Sequence, residues 1–102
     1  MVCNVCIGDN MITQKDLKQI PQLYETDGEQ DKIAYLHFTL IGGHGDWYVC
    51  EYKQEEEDIL FYGYVNLFAK EWGYFTLNEL STVPTIVLDQ DFKPTRISEV
   101  QK

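Results

Sequence analysis

Metal or nucleophile chemistry in this sequence would fall to five side chains: Cys3, Cys6, Cys50, His37 and His44. Cys3 and Cys6 form a single C-x-x-C, half of a structural zinc site, which needs four ligands. Only Cys50 and the two histidines could complete it, and the sequence holds no second C-x-x-C or paired-histidine motif. Reduced, unligated thiols are the expected state. Three cysteines are an odd count, too small for a disulfide framework. Cys50 with either histidine makes a nucleophile and base only if folding joins them, and nothing in the spacing demands that. His37 reads as a structural histidine within a strand, and His44 sits in a mobile glycine-rich turn. Paired carboxylates are frequent, as chance dictates in a chain with seventeen acidic residues. No catalytic residue, metal or cofactor is assigned, and an enzyme is the least favoured class.

Gly42-Gly43-His44-Gly45 has the composition of a phosphate cradle. Such a loop normally opens a helix, whereas this one leads into Trp47-Tyr48-Val49, a strand, past a repulsive Asp46. Two other groups suit binding better. Glu55, Glu56, Glu57 and Asp58 are four consecutive acids, read as a solvated hairpin loop able to stand in for phosphates on a basic surface. Tyr35, Tyr62 and Tyr64, with His37 and Trp47, could form an aromatic recognition platform on the sheet face opposite the core, and Tyr48, Tyr62 or Tyr64 could supply apolar contact beside the acids. Equally, the C-terminal tail could fold across that face and bury it.

The elements that must position these residues follow from the pattern. Thr13-Gln14-Lys15-Asp16 reads as a helix start, Leu17 and Ile20 share a face, and Pro21 ends the helix. Lys32 to Leu40, Trp47 to Lys53 and Ile59 to Phe68 read as strands, with Gly73 to Thr76 a short fourth. Ala34, Leu36, Phe38 and Leu40 are the expected core face of the first. Gly63 interrupts its strand, as at a bulge or close backbone approach. Thr76-Leu77-Asn78-Glu79 is a capping box opening a helix that runs to about Val83, before Pro84. Ile86 to Lys102 reads as an irregular tail with a helical turn at its end. The expected fold is α+β: an antiparallel meander of three to four strands with short helices packed on one face.

Charge is the most informative bulk property. Seventeen acidic residues oppose eight basic ones, of which only Arg96 is an arginine, for a formal net charge of -9. Direct nucleic-acid binding is disfavoured, and a partner with a basic surface is favoured. The apolar runs are too short and too charged for a membrane span. Met1 to Asn10 lacks the basic start and apolar stretch of a secretory signal, so a cytoplasmic location is expected. That segment reads as a leader, and the remainder, 11–102, as one domain.

From Met11 onward the sequence resembles an uncharacterised bacterial and mobile-element family, domain of unknown function 2958. Ile20 to Thr26, Asp46 to Tyr52, Phe61 to Val65, Gly73 to Leu80 and Phe92 to Val100 carry the resemblance. The departures are a longer Glu55 to Asp58 loop and a shortened stretch before Asp89. The resemblance implies no activity and no catalytic residues, only a setting among accessory genes of phages and plasmids. Small acidic proteins of that setting often inhibit host defence, including RNA-guided nucleases. The expected function is therefore a non-enzymatic inhibitor, such as an anti-CRISPR protein, that occupies a basic nucleic-acid-binding surface. The alternative is a domain that sequesters or senses a nucleotide-like ligand, stacking it on the aromatics near His37 and meeting its phosphate with Arg96 or Lys93.

Overall fold

The computed structural model describes residues 5–7, 10–12 and 14–100. Two short strands, β1 (Val5–Ile7) and β2 (Asn10–Ile12), pair antiparallel and are followed by helix α1 (Gln14–Lys18). The chain continues through β3 (Ile33–Ala34), β4 (Leu36–Leu40), β5 (Asp46–Gln54), β6 (Ile59–Asn66) and β7 (Lys70–Thr76). Helix α2 (Leu77–Ser81), β8 (Ile86–Leu88), β9 (Thr95–Arg96) and α3 (Ile97–Val100) complete it. The main sheet has five antiparallel strands in the order β7-β6-β5-β4-β8. The expected meander is β4 to β7. β8 extends it from within the segment read as an irregular tail, returning to pair with β4. The N-cap expected at Thr13 lies outside the described residues, and the segment read as a leader contributes β1, which lies against α2 and β8.

One face of the sheet carries the main core: Leu36, Phe38, Trp47, Val49, Ile59, Phe61 and Phe75, covered by Leu17 and Ile20 from α1 and its exit and by Leu77 and Leu80 of α2. Neither helix is long enough to be stable alone, so this burial is what holds them. α2 opens on the expected capping box. The Thr76 hydroxyl accepts from the Glu79 N–H at 3.1 Å, and the Thr76 N–H donates to the Glu79 carboxylate at 3.0 Å.

The opposite face holds a smaller cluster of Ala34, Cys50, Tyr64 and Ile97, with Tyr48 and Phe92 packed against it. Ala34 was expected on the main core face. The strand read as 32–40 breaks at Tyr35, and β3 leaves the main sheet to pair with β9. α3 also packs here through Ile97, so the helices occupy both faces.

The faces change register along β5 because of a bulge between Val49 and Glu51, opposite Gly63. Beyond it Tyr52 pairs with Phe61 and Glu51 pairs with Tyr62. A Cβ on Gly63 would lie 1.7 Å from the Tyr48 carbonyl oxygen, so only glycine permits this approach.

Candidate functional site

The bulge turns Glu51 toward the second face, where it is buried at 2% exposure. A buried carboxylate needs partners. Its Oε1 accepts from the backbone N–H of Tyr24 at 2.9 Å, and its Oε2 accepts from the Thr26 N–H at 3.1 Å and from the Thr26 hydroxyl. Lys32 Nζ stands 3.6 Å away. Burial pushes the Glu51 carboxyl up, but the bonds from Thr26 and Tyr24, with Lys32, outweigh it and hold the group below the usual carboxylate range.

This anchor fixes the loop 22–31 across the sheet and sets Tyr24 at φ 73, the one non-glycine residue with positive φ among those described. Tyr24 is 62% exposed. Its side chain meets Tyr74. That hydrogen bond, then desolvation, push the Tyr74 phenol up to about 12, and Asp27 adds to the rise. Tyr74 in turn packs on Tyr62, with ring centroids 5.0 Å apart. Tyr62 stacks on Trp72 at 5.8 Å, and Trp72 meets the edge of Tyr64 at 5.6 Å. The result is a strip, Tyr24–Tyr74–Tyr62–Trp72, in which Tyr74 and Trp72 remain 54% and 40% exposed. Burial raises the Tyr62 phenol, and the carboxylates of Glu51 and Asp27 add to the rise.

The residues singled out from sequence do not form one surface. Tyr62 belongs to the strip. Tyr64 is buried at 5% exposure and is no open contact. Tyr48 stacks on His37 at 4.5 Å beneath Phe92, so the tail covers this half of the face while leaving the half around Tyr62 open. Glu55, Glu56 and Glu57 are exposed on the β5–β6 turn. Asp58 is not ordinary solvated charge: its Oδ1 accepts from the Ile59 and Asn78 N–H groups, tying the turn to the start of α2.

The chemistry-bearing residues stay apart as well. Burial pushes the Cys50 thiol up to about 12 despite Lys32, with Glu51 adding to the rise. His37 is held between carboxylates, Nε2 2.7 Å from Asp46 and Nδ1 3.1 Å from Asp89, so neither nitrogen faces Cys50. His44 is exposed in its turn, where Gly42 takes the expected positive φ of 80. Cys3 and the Cys6 side chain lie outside the described residues. Among the described residues no group of three or more His, Cys, Asp or Glu is placed to hold a metal ion. A cleft of about 60 Å³ beside Asp16, Tyr35, Asp89 and Phe92 is far below the ~300–1,000 Å³ of small-molecule pockets. Arg96 is exposed and stands 3.8 Å from Asp31. No described helix is long and apolar enough to cross a membrane.

Neither the family models nor the curated proteins nor the solved structures compared with this chain match it.

Proposed function

We propose that this chain is a binding protein, not an enzyme, that engages a basic protein surface through the strip Tyr24–Tyr74–Tyr62–Trp72. The observation that carries this reading is the exposure of large aromatic rings, held in one strip beside Asp27, on a chain of net charge -9. Aromatic faces attract arginine and lysine, by about 0.5–1 kcal/mol each at exposed sites and about 2 when desolvated. Acidic charge brings such a partner in and excludes nucleic acid. Glu55, Glu56 and Glu57 belong to that long-range field. The partner class that fits best is a nucleic-acid-binding protein whose basic channel is blocked, as in inhibition of an RNA-guided nuclease in the host cytoplasm.

The test is target cleavage by a panel of such nucleases with the chain added, alongside Trp72→Ser/Tyr74→Ser. Inhibition by the native chain, lost in the double variant at unchanged melting temperature, is the expected result. Full cleavage and no co-elution across the panel would remove the nuclease, and equal inhibition by both chains would remove the strip.

A further inference from the structure

We infer that the outer edge of β7 receives an extended, arginine-bearing segment of the partner as an added strand, an inference that rests on the reading above and specifies how the partner is held. β7 ends the sheet order, and among the described residues no strand pairs with its outer side. At the opposite edge, β8 is approached by β1 and β2. Exposed edges are normally blunted by shortness, charged side chains, proline, bulges or inward-pointing charge. β7 carries charge only at its start, where Lys70 and Glu71 are exposed, and has none of these devices from Trp72 onward. It runs seven residues without proline, its register with β6 is unbroken from Lys70 to Thr76, and Phe75, on the core face, is apolar. Closure occurs only at the far end, where the Thr76 N–H donates to Glu79. Trp72 to Tyr74 remain open, with no described strand paired on their outer side.

The side chains give the edge its selectivity. Trp72 and Tyr74 alternate on one face, directly opposite Tyr64 and Tyr62. A strand added beside β7 sets its own alternate side chains within about 4.5–5.5 Å of those rings. Backbone pairing supplies affinity in this mode, and the alternate side chains supply specificity. Guanidinium groups fit here: they stack on Trp72 and Tyr74 and lie in the field of Asp27. A second copy of the chain fits poorly, because it brings another net charge of -9 to the same edge.

The probe is a short peptide alternating arginine with threonine, compared with the same peptide N-methylated on alternate amides in each frame. Titrations follow tryptophan fluorescence and hydrogen exchange of the β7 amides. The native chain is expected to bind the plain peptide with added protection in β7. One N-methylated frame should bind about tenfold more weakly or worse, and Trp72→Ser should weaken the plain peptide. Equal binding of all three peptides would overturn strand addition and leave the acidic, aromatic surface standing. No peptide binding by a chain that still inhibits a nuclease would overturn it too. A stable dimer that the peptide cannot dissociate would assign the edge to a second copy instead.

Discussion

The Glu51 carboxylate holds the backbone N–H of Tyr24 at 2.9 Å, and Tyr24 is the residue whose φ of 73 an L-amino acid adopts at a cost of about 1–2 kcal/mol. The two features belong together. A buried acid on the bulge of β5 locks a strained loop residue so that its ring joins Tyr74 on the open half of the sheet. The same acid pins Thr26 and Lys32, so the strained residue is held as part of a fixed loop with its ring outward.

Replacing each partner should therefore act differently. Glu51→Gln leaves Lys32 without its carboxylate and Tyr24 with a weaker acceptor, so stability should fall by about 1–3 kcal/mol. Tyr24→Gly removes the ring but relieves the backbone, so stability should stay level or rise by up to about 1 kcal/mol while partner binding weakens. Urea melts and binding titrations on both variants check this. A stability loss in Tyr24→Gly as large as in Glu51→Gln would show that the ring is structural.

Acid should reveal the same anchor. The Glu51 carboxyl lies below its ordinary value of 4.5 in the folded chain. Its contribution is therefore complete above that value and lost as pH falls through the lower folded value, since the unfolded chain takes up the proton first. Native protein should lose stability on acidification through this range more steeply than Glu51→Gln. Parallel pH–stability curves for the two would place the acid sensitivity elsewhere.

Two glycines give a sharper structural contrast. Gly63→Ala forces a Cβ against the Tyr48 carbonyl oxygen, so the bulge must rearrange and stability should fall by about 2–4 kcal/mol. Gly73→Ala meets open space at a negative φ and should be neutral or stabilising by about 0.5 kcal/mol. Thermal melts decide both. If Gly63→Ala melts like the native chain, the register shift that turns Glu51 inward does not depend on the missing side chain.

The sequence was most legible where local chemistry acts alone. The capping box at Thr76 and Glu79, the strands β5 and β6 and the special role of Gly63 follow from side-chain size and hydrogen bonding within a few residues. What escaped depends on partners distant in the chain. The turning of Ala34 to the second face required β9, more than sixty residues away, and β8 became a strand only because the edge of β4 was free to pair. Of the strip, only Tyr62 was picked out. Trp72 and Tyr74 sit at alternating spacing opposite Tyr64 and Tyr62, a signal lost when the fourth strand was started at Gly73. Nothing around Tyr24 announces its backbone, because the carboxylate that holds it lies 27 residues on.

The acid block separates the electrostatic and structural parts of this reading. Glu55, Glu56 and Glu57 are exposed, with only a 4.0 Å ion pair from Lys53 to Glu55, so changing all three to lysine should cost under about 0.5 kcal/mol each. Relief of mutual repulsion could offset even that. Asp58→Lys should behave differently, because its Oδ1 accepts from the Asn78 N–H at 3.0 Å and from the Ile59 N–H at 2.7 Å. Losing a carboxylate that accepts from the first turn of α2 costs about 1 kcal/mol, and a cation beside that turn opposes the helix dipole as well. The triple variant should then associate more slowly with a basic partner at low salt and approach native behaviour at high salt, while dissociation from the strip changes little. Melting curves and association kinetics at two ionic strengths measure both effects. Association unchanged at low salt would confine recognition to the strip and remove the β5–β6 turn from the binding surface.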